Sequence, residues 1–105
     1  MDAKDRPLAY ICSPFSGDIE GNTKRAREYC RRAVDLGYIP LAPHLLLPQF
    51  LSEETERAIA IEMDYELLDR CDLLLVCGDR ISSGMESEIR YATENGMVIM
   101  HLMEE

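Results

Sequence analysis

Leu73-Leu74-Leu75-Val76-Cys77 runs into Gly78-Asp79-Arg80-Ile81-Ser82-Ser83-Gly84 and then into Met85-Glu86-Ser87-Glu88. The first segment is a continuous apolar run, the pattern of a strand buried on both faces. The second is bounded by glycines and rich in turn residues. The third belongs to a helix expected from about Gly84 to Asn95 and closed by Gly96. A buried strand, a loop and a helix in this order form the unit of an α/β protein, which binds ligands at the carboxyl ends of its strands. Two carboxylates, Glu86 and Glu88, stand on the first turns of the helix, where its dipole favours negative charge. Each reads as a solvated surface acid or as a group that can act on a ligand.

The same unit recurs along the chain. Leu8-Ala9-Tyr10-Ile11-Cys12 reads as a first strand, followed by the turn-rich loop Ser13-Pro14-Phe15-Ser16-Gly17-Asp18. Asn22 or Thr23 is the expected cap of a helix reaching about Leu36, with Ala26, Tyr29, Cys30, Ala33 and Val34 at helical spacing and Gly37 in a left-handed closing position. Tyr38-Ile39-Pro40-Leu41 is a short second strand, placed at an edge by its proline. Residues 42–50 read as an apolar loop punctuated by prolines. Ser52, Glu53, Glu54 and Thr55 signal a helix that reaches about Asp69 with Ala58, Ile61, Tyr65 and Leu68 along one face. Met97-Val98-Ile99-Met100-His101-Leu102 is the last strand.

Alternating strands and helices with right-handed crossovers predict a flavodoxin-like, Rossmann-like doubly wound parallel sheet of four to five strands, order 2-1-3-4, with helices on both faces. The strand order reverses between strands one and three, so the ligand crevice is expected between residues 13–22 and residues 78–84.

The chain has 105 residues, the size of one domain, with 47% apolar and 30% charged residues. A net charge of −9 argues against a protein that coats nucleic acid, while leaving room for a small anionic ligand held by backbone N–H groups and an arginine. No apolar run is long enough to span a bilayer, and Met1-Asp2-Ala3-Lys4-Asp5-Arg6 lacks a signal-peptide pattern, so a cytoplasmic protein is expected. Cys12, Cys30, Cys71 and Cys77 show no CxxC spacing and read as small buried hydrophobes in a reducing compartment. No metal site is expected, since His44 and His101 have no ligand at helical spacing.

Tyr10-Ile11-Cys12-Ser13-Pro14-Phe15-Ser16-Gly17, then Asp64, then Cys71-Asp72-Leu73-Leu74-Leu75-Val76, then Gly84-Met85-Glu86-Ser87-Glu88 with Ala92 resembles the nucleoside 2-deoxyribosyltransferase superfamily, which includes the 2'-deoxynucleoside 5'-phosphate N-hydrolases. Through Ala42-Pro43-His44-Leu45, Pro48-Gln49-Phe50-Leu51 and Gly78-Asp79-Arg80-Ile81-Ser82 the chain most resembles a group of short bacterial and phage domains of unknown function within it. The resemblance covers residues 1–105 as one nucleoside 2-deoxyribosyltransferase-like domain. It implies a protein that binds a nucleoside or nucleotide and cleaves its N-glycosidic bond, by hydrolysis or deoxyribosyl transfer, without a cofactor. It assigns the nucleophile to Glu88, four residues after Gly84, assistance of the leaving base to Asp64, and orientation of the nucleophile to Tyr10. It places Ser13, Ser16, Gly17 and Ser82 at a phosphate or sugar. The hydrolases carry an arginine where this chain has Ser16, and Arg80 is the candidate to replace its charge.

The residues permit plainer roles as well. Asp64 falls between Ile61 and Leu68 on the buried side of its helix, where an apolar wall raises a carboxyl pKa and suits it to proton donation. Tyr10 is a core aromatic whose hydroxyl needs a partner, and a carboxylate at the crevice is one. His44 is a hydrogen-bonded structural histidine or a base-stacking group over the crevice. Pro14, Phe15, Ser83 and Gly84 complete the expected substrate-binding loops. The leucines of residues 45–51 form a pocket lid or, as the superfamily's homo-oligomers suggest, a dimer surface. Lys24, Arg25, Arg27, Arg31 and Arg32 read as a solvated helix face. A nucleotide-binding or sensor module of the same fold, without turnover, stays open as the alternative.

Overall fold

A computed structural model of the chain describes residues 5–104; the reading of residues 1–4 as lacking a leader pattern lies outside the described residues. Four strands, β1 (Leu8–Cys12), β2 (Ile39–Leu41), β3 (Leu73–Cys77) and β4 (Val98–Leu102), form one parallel sheet of order β2-β1-β3-β4. The helices are α1 (Ile19–Asp35), α2 (Pro43–Leu46), α3 (Arg57–Asp69) and α4 (Ser83–Glu94). The expected doubly wound, flavodoxin-like arrangement with strand order 2-1-3-4 is the one observed, with four strands.

The central strands are apolar throughout because both faces are covered. On one face Ala9, Ile11, Leu73, Leu75 and Cys77 pack against Tyr29 and Ala33 of α1. On the other, Tyr10, Cys12, Leu74 and Val76 pack against Leu68 of α3 and Met85 and Ala92 of α4. Each fully buried aliphatic side chain contributes about 1.5–3 kcal/mol. Pro40 is tolerated because β2 lies at the sheet edge, as its sequence suggested.

Several boundaries differ from the sequence reading. Helix α1 begins before Asn22: Asp18 is its cap and accepts from the Gly21 N–H at 3.1 Å. Asn22 is drawn inside instead, because its amide donates to the Phe15 and Ser16 carbonyls at 3.0 and 3.1 Å. Gly37 does close the helix with φ +96°, a conformation that costs a side-chain-bearing residue more. Residues 42–50 are not a loop: Pro43 opens the short helix α2, and Leu47–Gln49 continue it as a 3₁₀ turn. Proline at a first helical position loses no hydrogen bond, which is why the prolines start helical turns here rather than break them. Helix α3 starts at Arg57, because Ser52 closes a turn of its own by accepting from the Glu54 N–H and donating its backbone N–H to Glu56.

Helix α4 follows β3 after Ser82, whose hydroxyl accepts from the Met85 N–H at 3.2 Å while the Ser82 N–H points to the Met85 sulfur at 3.4 Å. Met85, Glu88, Ile89 and Ala92 then share the inward stripe of the helix. Among the described residues, no helix is long and apolar enough to cross a membrane.

Candidate active site

A crevice of about 400 Å³ opens at the carboxyl ends of β1 and β3, walled by the loops that follow them, by α2 and by α3. That volume suits a small organic ligand of nucleoside size. Its floor is Tyr10, from β1, and Glu88, from α4. The Tyr10 hydroxyl donates to Glu88 Oε2 at 2.5 Å. Tyr10 is only 2% exposed, so no water competes for the phenol and its O–H stays directed at that carboxyl. Glu86 lies on the exposed side of the same helix, and the geometry thus separates the two acids that the sequence left side by side.

Burial is the main influence on Glu88 and lifts its carboxyl to about 7; hydrogen bonds from Tyr10 and Cys12 pull the other way, and the Asp64 charge raises it further. Asp64 also lines the crevice, raised to about 6 by burial first and by the charge of Glu53 second. Two acids in one cavity, both raised, with the Asp64 charge felt at Glu88, form a pair that can divide nucleophilic and proton-transfer work. Tyr65 stands beside them and packs on Tyr91 of α4 with ring centroids 4.9 Å apart, a contact that ties α3 to α4 behind the crevice.

The opposite wall comes from the first loop and α2. Ser13 Oγ and His44 Nε2 lie 3.0 Å apart, and the His44 ring tilts against Phe15 with centroids 6.0 Å apart. Burial holds His44 near 4, so the imidazole is neutral at physiological pH. It is at once a satisfied side chain and part of the cavity lining. Ser13, Phe15, Ser16, Ser82, Ser83 and Gly84 line the crevice as well. Pro14, Gly17 and Arg80 do not. Arg80 instead reaches the Asn22 side-chain oxygen at 3.5 Å, where Arg25 also donates at 2.8 Å; Asn22 thus gathers two guanidinium groups behind the Phe15 and Ser16 backbone.

Helix α3 departs most from its expected role. The stripe of Ala58, Ile61, Tyr65 and Leu68 was read as a buried face, yet of these only Leu68 is buried, while Ala58 is exposed and Ile61 is 43% exposed. The residues that face the crevice are Arg57, Ala60, Ile61, Asp64 and Tyr65. Sequence reasoning passed over Arg57 as a wall residue, although its spacing to Ala60, Ile61 and Asp64 is the i, i+3, i+4, i+7 pattern of one helix face. It passed over Asn22 as a hydrogen-bonding hub for want of a local signal, since Phe15, Ser16 and Arg80 lie outside its helix. Gly78 has φ +81°, and a β-carbon there would come within 2.8 Å of the Tyr29 hydroxyl, so glycine lets the chain leave β3 toward the crevice. Among the described residues, no group of three His, Cys, Asp or Glu side chains can hold a metal ion.

The sequence profile of a domain of unknown function, DUF7768, matches residues 7–102, which spans β1 through β4. The chain belongs to the DUF7768 family. No curated protein matches this DUF7768 chain. Among solved structures, it superposes on the 2-deoxyribosyltransferase of the psychrotolerant bacterium Bacillus psychrosaccharolyticus with a TM-score of 0.70 and 24% identity, over 91% of this chain and 72% of that one. The likeness expected between the DUF7768 domain and the deoxyribosyltransferases is therefore met at the level of the fold.

Proposed function

We propose that the chain binds a nucleoside or nucleotide in the crevice and cleaves its N-glycosidic bond through Glu88. The observation that carries this reading is the Tyr10–Glu88 hydrogen bond on the floor of a cavity that Asp64 shares. The fold shared with an enzyme named a 2-deoxyribosyltransferase supports it. In the proposed reaction, ionised Glu88 attacks the anomeric carbon as the base leaves, and protonated Asp64 gives the departing base its proton. The resulting glycosyl ester is resolved by water, whose proton returns to Asp64, or by a second base in a transfer reaction. Tyr10 holds one carboxyl oxygen and leaves the other for attack.

The test is to incubate the protein with ribo- and deoxynucleosides and their 5'-monophosphates and to separate free base by chromatography. Release that disappears in Glu88→Gln supports the reading; binding without release from any of them sinks it in favour of a nucleotide-binding or sensor module. One observation favours that alternative: with a pKa of about 7, much of Glu88 is protonated at neutral pH and can hydrogen-bond a ligand rather than attack it. The Arg25–Asn22–Arg80 group lies behind the Phe15 and Ser16 backbone rather than in the crevice lining, and Arg25 is also paired with Asp18 at 3.7 Å, so Arg80 is the candidate for a ligand phosphate. Arg80→Ala should weaken binding of a 5'-monophosphate while leaving that of the nucleoside unchanged. A homodimer is part of the proposal, with exposed Leu46 and Phe50 at the contact, as is a cytoplasmic setting, which suits four cysteines without a disulfide.

A further inference from the structure

The crevice has two unlike walls. The wall of the first loop and α2 offers hydroxyls and a neutral imidazole, from Ser13, Ser16 and His44. The wall of α3 is charged at both ends and apolar between them: Glu53 and Arg57 stand at one end, Asp64 at the other, and Ala60 and Ile61 in the middle. Arg57 and Asp64 are about two helical turns apart, roughly 10 Å along the axis, and a planar base can lie along the apolar stretch between them. Among the described residues that line the crevice, Arg57 is the one lysine or arginine, against the three carboxyl groups of Glu53, Asp64 and Glu88. Arg57 Nη1 lies 3.6 Å from Glu53 Oε1, and Glu53 is the more enclosed of the two side chains, 43% exposed against 62%. We propose that Glu53, held by Arg57, determines base specificity: its carboxylate accepts a hydrogen bond from an exocyclic amine of the nucleobase, so that the crevice takes amino-bearing bases in preference to their oxo counterparts.

The turn that carries Glu53 is fixed by Ser52. The Ser52 hydroxyl accepts from the Glu54 and Thr55 N–H groups at 3.2 and 3.4 Å, and its own backbone N–H donates to Glu56 at 2.8 Å. Glu53 therefore meets the crevice from a hydrogen-bonded turn, and its charge is felt at Asp64 on the same wall. A carboxylate offers acceptors only. Facing an amino group it gains a charge-assisted hydrogen bond; facing a carbonyl oxygen it sets two acceptors against each other. Arg57 is engaged by Glu53 and stands on a wall with Asp64, so this end of the crevice repels a phosphate rather than seating it. The assignment rests on the reading of the crevice as a nucleoside site. In that reading Asp64 meets the departing base at its bond to the sugar, and Glu53 meets its remote edge.

The test is calorimetric titration of the full chain with 2'-deoxyadenosine beside 2'-deoxyinosine and 2'-deoxycytidine beside 2'-deoxyuridine, and with the 5'-monophosphates of each. Within a pair the sugar and ring skeleton are the same, and an amine is exchanged for a carbonyl. The amino member of a pair that binds should do so on the order of tenfold more tightly. Glu53→Ala should abolish that preference. Arg57→Ala should reduce it and Arg57→Lys restore it, a rescue that a merely structural role would not produce. Equal binding within the pairs, or a preference that survives in Glu53→Ala, overturns the proposal and leaves the nucleoside reading standing. Arg57→Ala that weakens only the monophosphates, with the preference intact, makes Arg57 a phosphate contact and also overturns it. Binding of none of these compounds removes the nucleoside reading and this proposal with it. A preference seen without any release of base supports the assignment of Glu53 while the cleavage reading fails.

Discussion

Burial lifts the Glu88 carboxyl from 4.5 to about 7, and this shift has a stability consequence of definite sign. The folded chain binds the Glu88 proton more tightly than the unfolded chain does. The stability so contributed is complete below about pH 4.5 and is lost as pH rises through 7, a change of about 3 kcal/mol. Glu88→Gln, which keeps an acceptor for Tyr10 and carries no charge, should be more stable than the parent at pH 8 by on the order of 2–3 kcal/mol and of similar stability at pH 4.5; denaturant titrations at the two pH values check this. The proposed chemistry needs Glu88 ionised and Asp64, at about 6, protonated at the same moment. Base release should therefore follow a bell with its optimum between pH 6 and 7, and the two limbs belong to the coupled pair rather than to either acid. Gly84 bears on the same site from the other side. A β-carbon there meets nothing within 4 Å, and its φ is not left-handed, so Gly84→Ala should leave stability the same or higher by about 0.4–1 kcal/mol. Any loss of ligand binding in that variant then reports on the crevice alone.

At the scale of elements, α3 does two jobs along its length. Its last turns carry Leu68, fully buried against the sheet, and its first half lines the crevice with Ile61 and Asp64. Leu68→Ala should cost about 2–5 kcal/mol of stability, as other large-to-small core changes do. Ile61→Ala should cost well under 1 kcal/mol and weaken ligand binding instead, and thermal melts read beside calorimetric titration separate the two effects. The helical spacing of Ile61, Tyr65 and Leu68 was legible in the sequence. What the spacing faces was not, because an apolar stripe looks the same whether it meets a core or a cavity. The turns of α2 were missed for a related reason: proline signals a loop by composition, but at the first position of a helix it serves as a start. Strands β1 and β3 were legible to the residue, since five apolar residues between turn signals leave little freedom in where a buried strand can begin and end.

At the scale of the whole molecule, the sheet is covered unevenly. Val98 and Met100 of β4 lie in register with Leu73 and Leu75, on the face that α1 covers, yet they are 57% and 45% exposed, whereas Leu102 at the end of the same strand is buried in the cluster with Tyr29 and Ala33. A second apolar surface lies at α2 and the turn after it, where Phe50 is 65% exposed. If the proposed dimer forms through that surface, light scattering should give twice the chain mass for the parent and the single chain mass for Phe50→Asp; a parent that stays monomeric refutes it. The sequence by itself determined the strand and helix order, the parallel sheet and the end of that sheet at which a ligand would sit. Those properties follow from local periodicity, turn chemistry and the handedness of crossovers. Only the tertiary structure decided which acid is buried, that Tyr10 reaches it, that Asn22 gathers Arg25 and Arg80, and that α3 turns its apolar face to a cavity. Each of these joins residues far apart in the chain, and desolvation, which sets their chemistry, exists only once the elements have packed.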